Sequence, residues 1–136
     1  MSVIPIAAKV IDILKLGNVS SLAVAGEGAV AYSQSFPLPA GNPNFSFEYK
    51  AESSGSVALK LELEQSNQAP TTEGAEDGNF VVPDGAEELD NSLADEVNHI
   101  KAYLPAATAF ARVKITGLTG NDAETVLSKL KMVYIQ

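Results

Sequence analysis

An all-β fold, a single-domain β-sandwich or jelly roll of about seven to nine antiparallel strands with one short helix near residues 86–93, is what the sequence predicts. Three observations carry that expectation. Apolar residues recur mainly at every second position, the side-chain alternation of a half-buried strand. Glycine and proline interrupt the alternating runs at short, regular spacing, as turns between strands do. Finally, 46% of the 136 residues are hydrophobic and 19% charged, a globular balance in a chain long enough to close one core.

The first candidate strands cover residues 9–16, 22–25 and 29–35, the last two joined by Gly26-Glu27-Gly28 as a hairpin turn. In FSFEYK, Phe45, Phe47 and Tyr49 face one way and Ser46, Glu48 and Lys50 the other. The clearest alternation is VALKLELE over 57–64, with Val57, Leu59, Leu61 and Leu63 on one face and Ala58, Lys60, Glu62 and Glu64 on the other. A slip of one residue would bury those charges, so the inward face is specified. The short ESSGS between these runs predicts a hairpin in which Glu48 or Lys50 pairs with Lys60 or Glu62.

Asp84 followed three residues later by Glu87 has capping-box spacing and predicts the one helix, about two turns over 86–93. A strand over 97–104 ends at Pro105, which has no N–H to give a central ladder. ARVKIT alternates Ala111, Val113 and Ile115 against Arg112, Lys114 and Thr116, then turns through GLTGND. The last run, 126–135, reads as a strand, although VLSKLKM by itself also fits a helical turn. The chain shows no internal repeat and no linker that would divide it, so residues 1–136 are expected to form one domain.

Charge is unevenly placed. Seventeen acids and nine bases leave a net charge of -8, which repels a phosphate backbone and predicts no nucleic-acid partner. Residues 61–100 hold eleven acids and no base, while the rest of the chain sums to +3. The middle of that segment predicts an acidic surface loop within 65–84, either solvated or docked on a basic partner or a neighbouring copy. No stretch approaches the ~18 apolar residues of a membrane span, and MSVIPIAAKV lacks the basic start of a secretory signal. The expectation is a soluble, untargeted protein with no membrane partner.

Catalytic and cofactor signatures are sparse. The absence of cysteine excludes disulfides, thiolate metal sites and cysteine nucleophiles. The single histidine, His99, has no second histidine for zinc and no G-x-S-x-G elbow, and reads as a surface residue. Glu62 and Glu64 share a face but lack the aromatic walls of a sugar subsite, so they read as solvated acids that discourage edge association. Glu73, Glu76, Asp77 and Asn79 offer oxygens for calcium without the ligand order of a calcium loop. Gly26-Glu27-Gly28 lacks the third glycine of a nucleotide site. The expectations are no catalytic residues, no cofactor and no metal. A carbohydrate- or ligand-binding module is the alternative on fold, opposed by the lack of tryptophan and by four tyrosines at positions that suit the core or its rim.

The stretches YSQSFPLPAGNPNFSFEYKAESSGSVALKLELEQSNQ, ATAFARVKITGLTGND and KLKMVYIQ together resemble, in texture, the cement or decoration proteins that coat the capsids of tailed bacteriophages. The resemblance implies a non-enzymatic virion protein, made in the host cytoplasm, that binds the major capsid protein as a homo-oligomer, a dimer or trimer. It brings no residue signature. The residues expected to meet the partner are therefore argued from the chain itself. Val3, Ile4 and Ile6 lie in an apolar N-terminal segment, residues 1–8, that is either an arm or a first edge strand. Glu73, Glu76, Asp77, Glu87 and Glu88 belong to the acidic segment, where charge would speed and orient docking.

Overall fold

In the computed structural model, which describes residues 8–39, 44–69 and 79–135, ten strands form two antiparallel five-stranded sheets. The strands are β1 (Lys9–Asp12), β2 (Leu22–Ala23), β3 (Val30–Tyr32), β4 (Phe36–Pro37), β5 (Asn44–Glu52), β6 (Leu59–Ser66), β7 (Asp90–Leu93), β8 (His99–Tyr103), β9 (Phe110–Gly117) and β10 (Val126–Ile135). Sheet A has the order β1-β10-β5-β8, with β2 also on β10. Sheet B has the order β3-β9-β6-β7, with β4 also on β9. The alternation seen in the sequence therefore builds a sandwich, with one more strand than the upper expectation.

The inward faces make one core. Sheet A contributes Phe45, Phe47, Tyr49, Leu127, Leu130 and Met132, and sheet B contributes Leu59, Leu61, Leu63, Val113 and Ile115. Phe47 meets Tyr103 edge to face at 5.8 Å between ring centres, a favoured aromatic geometry. At one end of the sandwich, buried Asn121 ties three connections together. Its amide donates to the carbonyls of Val24 (2.9 Å) and Gly26 (3.0 Å), and its oxygen accepts from Ala58 N (3.2 Å).

Several local expectations give way to tertiary pairing. The expected FSFEYK/VALKLELE hairpin does not form: β5 belongs to sheet A and β6 to sheet B, so the short connection crosses between layers. The same holds for Gly26-Glu27-Gly28, which links β2 in sheet A to β3 in sheet B. Its glycines adopt φ of 94° and 74°, a region open to glycine without steric cost. Pairs in the register are instead Glu48 with Lys131 and Glu62 with Lys114.

The helix expected over 86–93 is absent. Gly85 takes φ 77° in a turn closed by Ala86 N on Pro83 O, and Asp90–Leu93 then runs as a strand along β6. Leu89 and Leu93, four apart, satisfy a helical face in the sequence, but both are buried in the shared core. A ladder on β6 and that burial outweigh the weak preference of a two-turn helix. Among the described residues the helix that forms is α1 (Ile13–Leu16), inside the run expected as one strand over 9–16. Asp12 caps it by accepting from Lys15 N, and Ile13 and Leu14 turn into the core.

The acidic segment also differs in part. Gln65 and Ser66, expected in the loop, complete β6 and are buried. Gln65 pairs with Val81 through two backbone bonds, and its side chain holds the 106–108 segment through Ala106 and Thr108. Asn79 donates to Gln68 Oε1 at 2.9 Å, which brings the two ends of the intervening stretch together. Val3, Ile4, Ile6, Glu73, Glu76 and Asp77 lie outside the described residues.

Candidate interaction surface

The outer faces of the two sheets differ in what they leave open to contact. On sheet B, Glu64 and Arg112 stand opposite each other on β6 and β9, and Arg112 Nε donates to Glu64 Oε1 at 2.7 Å. The guanidinium lies 4.1 Å from the Tyr32 ring centre and 4.9 Å from that of Phe80. Planar, weakly hydrated guanidinium suits such stacking better than an ammonium would. Glu64 and Arg112 are only 8% and 6% exposed, so Glu64 is not the solvated acid its alternating position suggests. Tyr32 from β3 and Phe80, which follows the acidic stretch, both lie against Arg112 on this part of the face. Farther along, Lys60 bridges Glu62 (3.7 Å) and Glu88 (3.2 Å), and the Glu88 contact leads in holding the Lys60 ammonium above its usual pKa.

Sheet A presents an open outer face. Because Met132, Phe45, Phe47 and Tyr103 point inward, Val133, Ser46 and Ala102 point outward, and β1 places Val10 beside Val133. Val10, Val133, Ser46 and Ala102 thus form one uncharged row across all four main strands. Next to it, Ile135 and Ile100 are 41% and 70% exposed, and Leu104, just beyond β8, is 89% exposed. Large apolar side chains gathered on one sheet face mark a surface that gains by being covered.

On the side away from Ile135 the adjoining row is charged except for Ile100, which stands opposite Glu48. Asp12, Lys131 and Glu48 stand side by side, and Lys129 bridges Glu48 at 3.6 Å. Glu48 titrates below the usual carboxylate range, chiefly because Asn98 Nδ2 donates to it at 2.8 Å, with the two lysines assisting against a desolvation cost. The row next to Lys129 owes its geometry to a bulge at Ser128, which separates buried Leu127 and Leu130 by three positions. That insertion is why VLSKLKM has helical spacing in a strand.

His99 is more structured than a free surface residue. Its Nε2 lies 2.7 Å from Asp95 Oδ1 and its ring stacks on Tyr49 at 5.5 Å between centres. Hydrogen bonding from His99 leads in lowering the Asp95 pKa. Tyr49 OH donates to Asp90 Oδ2 at 2.8 Å, and burial, reinforced by that carboxylate, drives the phenol pKa far upward. These groups fasten the β7–β8 connection to the core of sheet A. Among the described residues no three side chains of the metal-binding types come together.

Of the residues expected to meet a partner, Glu87 and Glu88 are described. Glu87 is exposed, while its backbone carbonyl accepts from Tyr103 OH at 2.8 Å; Glu88 is engaged with Lys60. The sheet A row was not anticipated. The alternation marks Ser46, Val133 and Ala102 as one face of their own strands, but the register that aligns them comes only with the pairing.

No protein-family model matches this chain, and no curated protein matches it. Among solved structures it is similar to the crystal structure of the CBM36-1 domain of a multidomain xylanase from the hindgut metagenome of Trinervitermes trinervoides. The two share 7% identity, over 93% of this chain and 96% of that one, with a TM-score of 0.44. A likeness of that size carries no argument about function, which rests on the surface just described.

Proposed function

We propose that this protein is a non-catalytic structural protein that coats a larger assembly, docking the outer face of sheet A on a protein partner. The observation that carries the proposal is the uncharged Val10–Val133–Ser46–Ala102 row with exposed Ile100, Ile135 and Leu104 around it. Burying such side chains gains roughly 25 cal/mol per Å² of apolar area, so even a small patch rewards a partner that fits it. The resemblance of the sequence to tailed-phage decoration proteins supports a capsid as the assembly, with the major capsid protein as partner and the virion surface as location. Repeated copies on a lattice would add avidity to a modest single contact.

The competing reading, a carbohydrate- or ligand-binding module, would use exposed rings as a stacking platform. All nine aromatic residues are buried or half-buried here, which favours the protein-docking reading. The test is co-sedimentation with capsids assembled without their outer coat, comparing the native chain with Ile100→Asp/Val133→Asp. Native protein should pellet with the capsids, and the variant should stay in the supernatant while retaining its thermal transition. Native protein that stays in the supernatant while binding a soluble polysaccharide would overturn the proposal in favour of the module.

A further inference from the structure

Beyond the uncharged row, the outer side of sheet A changes charge sign along β10. At the loop end, Glu52, Glu96 and Glu124 line a hollow of about 290 Å³ bordered by Val126. A little farther along the same strand, Lys15, Lys129 and Lys131 line a second hollow of about 270 Å³, with Asp12 the one carboxylate there. The strand rises about 3.3 Å per residue, which places the two hollows on the order of 10 Å apart. Local backbone features shape the second one. Asn18 takes φ 57° in the connection that returns the chain from α1 to pair with β10 as β2, and Val19, Ser20 and the bulged Ser128 line the hollow beside it.

The charges within each hollow are only partly balanced. Lys15 lies 4.0 Å from Asp12, and Lys129 lies 3.6 Å from Glu48. Glu52 lies 3.6 Å from Lys50, and Glu96 accepts from Ser53 N at 2.9 Å. Lys131 and Glu124 form no salt bridge with a described residue.

We infer that this part of the face is occupied by a second copy of the chain, related by a two-fold axis that passes between the hollows. Each copy then places Lys15, Lys129 and Lys131 against Glu52, Glu96 and Glu124 of the other. A two-fold interface presents the same surface twice and has to complement itself. A face of one charge sign repels its copy, whereas neighbouring hollows of opposite sign satisfy both halves at once. The uncharged row lies on the far side of the lysines from the axis, so it remains open to the partner proposed above. Half-solvated pairs contribute little each, but three lysines facing three glutamates in both halves of the interface act together, and salt screens them, so the charges hold the dimer and make it salt-sensitive.

The test is light scattering of the purified full chain at about 0.01 M and about 1 M salt, between which the screening length falls from roughly 30 Å to 3 Å. The mass should fall from twice 14.2 kDa to 14.2 kDa as salt rises. Two variants, Lys15→Glu/Lys131→Glu and Glu52→Lys/Glu124→Lys, should each be monomeric alone at low salt. Mixed in equal amounts they should regain the dimer mass, because both halves of the mixed interface again pair opposite charges. A native chain that is monomeric at low salt, or folded variants that stay monomeric when mixed, would overturn the inference. Should one variant lose its thermal transition, the other variant and the salt dependence of the native chain still decide the matter. Capsid co-sedimentation is a separate readout, so a failed dimer and a failed partner contact are distinguishable.

Discussion

Replacing Arg112 with methionine leaves Glu64 as a carboxylate about nine-tenths removed from solvent, with its 2.7 Å donor gone. Removing one member of a buried ion pair costs about 3–5 kcal/mol, because the remaining charge is desolvated without compensation. Methionine fills most of the same volume and still touches Tyr32 and Phe80, so cavity formation adds little. Unfolding entropy of about 2.1 cal/mol/K per residue, over 136 residues, makes each kcal/mol equivalent to about 3.5 °C. The expected drop in melting temperature is therefore about 10–17 °C. The double variant Arg112→Met/Glu64→Leu removes both charges and should lose less than Arg112→Met alone, within about 2 kcal/mol of native, since no carboxylate is then left desolvated without its partner. Urea unfolding followed by circular dichroism gives both values from midpoints at constant slope. A loss under about 1 kcal/mol for Arg112→Met, or a double variant as unstable as the sum of its singles, would refute the desolvation account.

Two further outcomes follow from groups at the sheet faces and ends. Burial and the Asp90 contact raise the Tyr49 phenol pKa in the folded state, so its stabilisation is fully present below the unfolded value near 10 and is lost as pH rises beyond it. Absorbance at alkaline pH should show the Tyr49 phenolate appearing together with unfolding, and Tyr49→Phe should flatten the decline of stability above pH ~10. At the other position, a methyl group on Gly117 would collide with the carbonyl oxygen of Gly26, in backbone already tied by Gly28 N on Gly117 O and Gly117 N on Ala29 O. Gly117→Ala should cost roughly 1–3 kcal/mol in the same urea assay, and an unchanged midpoint would mean the two connections separate easily.

The period-two pattern settled which side chains of each strand face the core. Phe45, Phe47 and Tyr49, then Leu59, Leu61 and Leu63, and later Ala111, Val113 and Ile115, are all buried as their alternation requires. Alternation is a property of one strand at a time, and so it was legible without the fold. It does not encode which strand lies alongside. That is why the FSFEYK and VALKLELE runs, close in sequence and both well patterned, could go to different layers. Short turn-like links such as Gly26-Glu27-Gly28 serve an inter-sheet crossing as well as a hairpin.

Composition and charge placement likewise came from the chain alone: a globular core without disulfides, and an acidic segment beside a weakly basic remainder. The tertiary structure decided what becomes of individual charges and local preferences. Glu64 is buried against Arg112, which Tyr32 and Phe80 approach from distant positions, and the capping-box spacing at Asp84 loses to the β6 ladder because a two-turn helix has little stability of its own. The last strand was read correctly over 126–135, and the bulge at Ser128 accounts for the helical spacing within VLSKLKM. The uncharged row of sheet A exists only in the register of β1, β10, β5 and β8, since a row across strands is fixed by long-range pairing and a face along a strand by local geometry.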